Sequence, residues 1–257
     1  MNHDWKDASA FKTGQRTYST RSLHGQVVHE LGKRIVTGDI GEGVVLPNET
    51  ELGASFDVSR TALREGIKVL TAKGLLASRT RTGTRVRPRH EWNMLDPDIL
   101  AWRSASRQPE GFIQDLIEFR LAVEPLAASL AATRASDDEF RYIERAYADM
   151  VTAGEDVQAG VEPDLRFHQG ILHASGNELL APLGALIEAA LTMSFRLATP
   201  AIKLDSFPVH KAVLDTIKDR DPERAHDAMV RLLDYSKDYN NAVLDEIRES
   251  SHDNAEI

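Results

Sequence analysis

The 257-residue chain contains no cysteine. That absence excludes a disulfide scaffold, a Cys-ligated zinc or iron–sulfur site and a catalytic thiol. No apolar run is long enough to span a bilayer. No secretory apolar core stands near the start either: residues 1–20 are polar, with Asp4, Lys6, Asp7, Lys12 and Arg16, and read as a flexible lead-in. Internal repeats and low-complexity tracts are lacking. The expectation is a soluble, cytoplasmic protein with no membrane partner. Hydrophobic residues at 42% and charged residues at 28% are the mixture of a globular chain, and the length suits two compact units.

Acidic charge is scarce in the first third. Residues 1–90 hold 15 Lys and Arg against 9 Asp and Glu, whereas residues 91–257 hold 16 against 31. A basic part joined to an acidic part suggests one unit that meets a polyanion and one that does not. The basic part carries a pattern. Leu23, Val27, Leu31 and Ile35 step by four and predict a helix over 22–37. Asn48 can cap a short helix over Glu49–Phe56, with Glu51 at the capping-box position. Asp57 and Val58 make a turn, and Ser59 caps a second helix from Arg60 to Lys73 with Leu63, Ile67 and Leu70 inward. Leu75–Leu76 and Arg85–Arg87 predict a hairpin turning at Thr82–Gly83, with Arg79, Arg81, Arg85, Arg87 and Arg89 around it.

Two short helices across a tight turn, followed by a basic hairpin, read as a winged helix-turn-helix. The N-terminal end of its second helix would enter a major groove, presenting Ser59, Arg60, Thr61 and Arg64, with Lys68 on a phosphate. The stretch LPNETELGASFDVSRTALREGIKVLTAKGLL, followed by TGTRV, resembles the winged helix-turn-helix of the GntR superfamily of bacterial transcription regulators. The resemblance implies that Arg60 and Arg64 read bases and that the wing tip, Arg81, Thr82, Gly83 and Thr84, reaches the minor groove. Thr50 stands where several relatives have a DNA-contacting Arg.

Strand signals stop after residue 94, and successive helical patterns predict an all-α bundle. Helices are expected from Asp96–Pro97, from Pro109 to about Thr133, from Ser136 to about Gly154, from Glu162–Pro163 through His173, and then over about 178–198, 206–219 and 222–249. The full division is a tail at 1–21, a DNA-binding domain at 22–90, a linker with a short helix at 91–108, a helical domain at 109–250 and a tail at 251–257. The fold class is thus mainly α, a winged helix-turn-helix plus an antiparallel helical bundle.

Several polar residues fall where the bundle should be apolar. Arg120 and Glu124 lie one turn apart on the stripe of Ile113, Leu116, Ile117, Ala127 and Leu130, a placement that is costly unless the pair is internally satisfied or binds something. Asp164 and His168 lie about 40° apart around one helix, whereas His173 is about 140° from His168 and cannot join them. A carboxylate and an imidazole at that spacing make half a metal site. His210 heads another helix beside Val209, Val213, Leu214 and Ile217. No Ser–His pair or pair of carboxylates at a defined reach can be argued.

VEPLAA, DLRFHQGILHASGN and VHKAVLDTIKDRDPERAHDAM resemble the FCD ligand-binding domain of the FadR subfamily over roughly 95–245. The resemblance implies a divalent metal, zinc for this donor set, on Asp164, His168 and His210. Most metal-binding members add a His in the last helix; AMVRLL places Leu232 there. RPRHEWNMLDPDILAW with FRLAVEPLAA is similar to the galactonate-operon repressors, which implies a sugar-acid effector. Arg120 and Glu124 would then bind it, with Ser194 and Arg196 as further contacts. The resulting expectation is a homodimeric, metabolite-responsive repressor that is not an enzyme. The rivals are the same regulator with another small carboxylate, a metal-dependent enzyme, and a DNA-binding protein without ligand control.

Overall fold

The computed structural model describes residues 18–19, 22–79, 83–106, 110–197 and 200–253. These fall into two compact units, one running up to residue 106 and the other from Glu110 onward.

In the first unit, α1 (Leu23–Val36) is capped by Ser22, α2 (Glu49–Ser55) by Asn48 and α3 (Arg60–Ala72) by Ser59. The turn between α2 and α3 contains Asp57 at φ 52°, a left-handed conformation that a short Asp side chain tolerates. Val27, Leu31 and Ile35 pack with Leu63, Ile67 and Leu70, all within 8% of full burial. Each such side chain contributes about 1.5–3 kcal/mol on burial. Leu23, expected on this face, is 52% exposed because it opens α1 beyond the packed stripe.

Strands β1 (Leu76–Arg79) and β2 (Gly83–Val86) pair antiparallel, Leu76 with Val86 and Arg79 with Gly83. Gly83 therefore belongs to the ladder rather than to the turn, and Leu75 precedes the strand, next to Gly74 at φ 81°. Few apolar residues mark the ladder ends, and its register comes from backbone pairing; Val45 also bridges to Arg85. Tyr18, read as part of the lead-in, is buried in this core and lies 5.9 Å from Lys73 Nζ.

After the strands, α4 (Pro97–Ser104) is capped by Asp96. Lys73, at the end of α3, is 3% exposed and donates to both Asp96 oxygens (2.9 and 2.8 Å) and to Asp98 (2.7 Å). These contacts tie the end of α3 to the start of α4. Trp102 donates to His29 Nδ1 at 3.2 Å, from α4 to α1.

The second unit holds α5 (Glu110–Arg134), α6 (Asp137–Ala153), α7 (Val157–Ala174), α8 (Gly184–Leu197), α9 (Pro200–Lys218) and α10 (Pro222–Asp253). Ser136 and Glu139 form a reciprocal capping box on α6. Fully buried Ala127, Ala128, Ala131 and Ala132 let neighbouring helices close on α5, around Phe167, Ile171 and Leu172 of α7. Four helix boundaries differ from expectation: α8 begins at Gly184, after a single 3-10 turn at Ala181–Leu183, rather than near residue 178. Asp156 caps α7 and accepts from Ala159 N at 2.9 Å, so the helix starts six residues before Pro163. Likewise, α9 begins at Pro200 and α10 continues to Asp253. Pro125, Pro163 and Pro208 thus lie inside helices, where each leaves one carbonyl without its usual partner. No helix among the described residues is long and apolar enough to cross a membrane.

Candidate functional site

The outward face of α3 carries Arg60, Thr61, Arg64 and Lys68, all exposed, opposite buried Leu63, Ile67 and Leu70. Ser59 spends its hydroxyl on the cap, accepting from Ala62 N at 3.2 Å. Arg60 Nη2 donates to Thr50 Oγ1 at 3.3 Å, so Thr50 supports an arginine of α3. Arg64 Nε donates to both oxygens of Glu49, at 3.1 and 2.9 Å, with its side chain 64% exposed. Lys68 pairs with Glu65 at 2.7 Å. Each cation is presented outward while resting on a neighbour on its own surface. Gly83 and Thr84 lie on β2, whereas Arg81 and Thr82 are outside the described residues.

The second unit carries its charge inside. Arg120, Glu124, Asp164, His168 and His210, from α5, α7 and α9, are each 5% exposed or less. Arg120 Nε donates to Glu124 Oε1 at 2.5 Å, and His168 Nδ1 meets Glu124 Oε2. Burial opposes ionisation of Glu124, but Arg120 and His168 prevail and hold its pKa at about 2. An ionised carboxylate only accepts, so His168 Nδ1 turns a proton toward Glu124 and leaves Nε2 facing Asp164. That nitrogen lies 3.8 Å from Asp164 Oδ1, with Arg120 Nη2 at 3.3 Å, a long contact. His210 Nδ1 lies 2.8 Å from the Ser206 carbonyl, which also only accepts, so a neutral ring leaves its lone pair on Nε2.

His210 Nε2 is buried, 2.9 Å from Asp164 Oδ1. A lone pair facing a carboxylate oxygen at that distance is repulsive unless a cation or a second proton intervenes. Burial again opposes ionisation of Asp164, yet His210, His168 and Arg120 hold its carboxyl below the usual range. Donor atoms of Asp164, His168 and His210 all lie within 4.8 Å of one another. Both imidazoles have their second nitrogen fixed by a carboxylate or a carbonyl, the orientation a metal-binding histidine needs. The donor set therefore fits a divalent ion.

Arg120, Asp164, His168 and His210 form one wall of a cavity of about 80 Å³. Ser194 and Leu232 line it as well. Glu124 does not: both its oxygens serve Arg120 and His168, so its place is behind the wall. Arg196 is exposed, outside the lining. Lys203 and Asn240 line the cavity although the sequence reading missed both. Lys203 is 6% exposed and donates to the Asp156 carbonyl, and a Cβ on Gly160 would stand 2.4 Å from its Nζ. The available signals were Gly160 inside α7 and, on α10, the spacing of Leu232, Tyr235, Ser236, Tyr239 and Asn240 along one helix face.

The family of bacterial regulatory proteins, gntR family, matches residues 23–86, and the FCD domain matches residues 115–235. The uncharacterized HTH-type transcriptional regulator YieP of Escherichia coli (strain K12) is 33% identical over 225 residues, covering 86% of this chain and 96% of that protein. This chain belongs to the GntR family, with an FCD domain. It is also 33% identical over 211 residues to the galactonate operon transcriptional repressor of the same organism, covering 81% of this chain and 92% of the repressor. The solved structure of Lar, which controls expression of the Listeria monocytogenes agr system, shares the fold. Its TM-score is 0.60 at 15% identity, covering 88% of this chain and 99% of that one. The chain is accordingly a transcriptional regulator of the GntR/FCD type, mostly helical, with a two-stranded wing.

Proposed function

We propose that this regulator is a homodimeric, metabolite-responsive repressor that leaves its operator when a small sugar acid, such as galactonate, enters the helical unit. The observation that carries this reading is the convergence of two imidazole Nε2 atoms on the Asp164 carboxylate at a buried cavity wall. Asp164, His168 and His210 would hold a divalent ion, with zinc favoured by a nitrogen-rich donor set, and its open coordination position would polarise a ligand oxygen. Glu124 acts behind them by fixing His168.

Charge favours an anionic ligand. Buried Arg120 and Lys203 balance buried Glu124 and Asp164, so a bound divalent ion leaves two positive charges in excess. A carboxylate lowers that excess, and Arg120, already at the wall, is placed to meet it. Leu232 lines the same cavity and supplies no donor, leaving room for a ligand oxygen in the metal's coordination shell.

On the DNA side, Arg60 and Arg64 would read bases, Thr61, Lys68 and the wing would meet the backbone or the minor groove, and Ser59 would hold the helix end against it. A homodimer follows from the half-site reach of a single recognition helix. The experiment is titration of a duplex from upstream of the protein's own reading frame with zinc-loaded protein, with and without galactonate, gluconate and lactate. The expected result is weaker operator binding with an aldonate. Unaltered binding with every acid contradicts the proposal.

A further inference from the structure

Asn240 lies on α10 beyond the stretch matched by the FCD family, and its side chain is 1% exposed. Its Nδ2 donates to Ser194 Oγ at 2.9 Å, whereas its Oδ1 is buried with no hydrogen-bond partner among the described residues. Exchanging the amide oxygen and nitrogen does not remove the defect, because one amide atom is left over in either orientation. Both residues line the cavity. A buried polar atom without a partner is costly, and one facing a cavity is satisfied by whatever fills it.

The surrounding helix face narrows the chemistry. From Leu232, α10 presents Tyr235, Ser236, Tyr239 and Asn240 to the cavity, moving from apolar to hydroxyl and amide over two turns. Eight residues correspond to about 12 Å of helix, a long wall for a two- or three-carbon acid. Met150, Leu191, Phe195 and Phe207 line the rest of the cavity, so a ligand's carbon chain would lie against apolar side chains while the polar end of α10 meets a hydroxyl.

We infer that Asn240, held by Ser194, reads a hydroxyl of the ligand far from its carboxylate, so that the cavity selects a hydroxylated acid over an unhydroxylated or very short one. This rests on the cavity being the effector site. Asn240 accepts the ligand O–H, while Ser194 keeps the amide from turning away.

The test is calorimetric titration of zinc-loaded full-length protein with galactonate, hexanoate and lactate, repeated on Asn240→Ala and Ser194→Ala. Far-UV circular dichroism and zinc stoichiometry establish that each variant is folded. Wild-type protein should bind galactonate at least about tenfold more tightly than hexanoate, and Asn240→Ala should erase about tenfold of galactonate affinity while leaving hexanoate unmoved. Ser194→Ala should lose about threefold, and it carries the test if Asn240→Ala does not fold. Equal galactonate affinity in Asn240→Ala and wild type overturns the inference, as does hexanoate binding as tightly as galactonate. Binding of lactate alone leaves the sensor reading standing and overturns this one; binding of no acid overturns both.

Discussion

The same pair of residue types, Arg with Glu, occurs in both units and does opposite work. Arg64 and Glu49 meet at 2.9 Å with their side chains 64% and 42% exposed. An exposed pair of this kind is worth at most about 1 kcal/mol, so water, salt or a phosphate can replace it readily. Arg120 and Glu124 meet at 2.5 Å with their side chains 5% and 1% exposed. Removing one partner there leaves an uncompensated buried charge, at about 3–5 kcal/mol. Surface pairing therefore leaves a cation free to exchange partners, whereas buried pairing fixes the geometry around His168. Exposure, rather than residue identity, separates the two roles.

The comparison breaks most severely if the interior cluster can be emptied without consequence. His168→Ala should bring zinc stoichiometry to background and abolish any response to galactonate, as measured by elemental analysis and operator titration. Full zinc occupancy in that variant would place the metal elsewhere. On the surface, Arg64→Ala should weaken operator binding by about 1–3 kcal/mol and relax sequence preference if its base contact is bidentate. Unchanged affinity in both Arg64→Ala and Arg60→Ala would remove α3 from the interface.

Two milder changes sharpen the contrast. Glu124→Gln keeps an acceptor for His168 but loses the charge, and zinc affinity measured by competition with a chelator should fall about tenfold, the low end for residues that orient a metal ligand. Glu49→Gln releases Arg64 at the surface, and operator binding should tighten by less than about 1 kcal/mol. If Glu49→Gln outweighed Glu124→Gln, burial would not be what distinguishes the two pairs.

The surface unit was the more legible in sequence. Caps at Asn48 and Ser59, the step-of-four stripe and the turn at Asp57 act within a few residues of one another, so local pattern places α2 and α3 to within a residue of their ends. The wing was displaced toward its tip because backbone pairing rather than side-chain pattern sets its register. In the helical unit, the i,i+4 pairs Arg120–Glu124 and Asp164–His168 could be read, being local to one helix each. What joins them is tertiary. That Glu124 faces His168 rather than the cavity depends on how α5 packs against α7, 44 residues away along the chain. Lys203 and Asn240 reach the cavity from α9 and α10; the one-face spacing on α10 is legible in sequence, but which helices that face meets is not. Pro163 misled for the opposite reason: a local start signal was overridden by the Asp156 cap six residues before α7 was expected to begin.

The central claim is that an acid held at the buried cluster and a duplex held by α3 oppose each other. Calorimetric titration of galactonate into zinc-loaded protein, first free and then saturated with operator duplex, measures that opposition directly. The account predicts weaker galactonate binding to the DNA-bound protein, by the same factor with which galactonate weakens operator binding, because coupling between two sites is reciprocal. Equal galactonate affinity in the two states would contradict it.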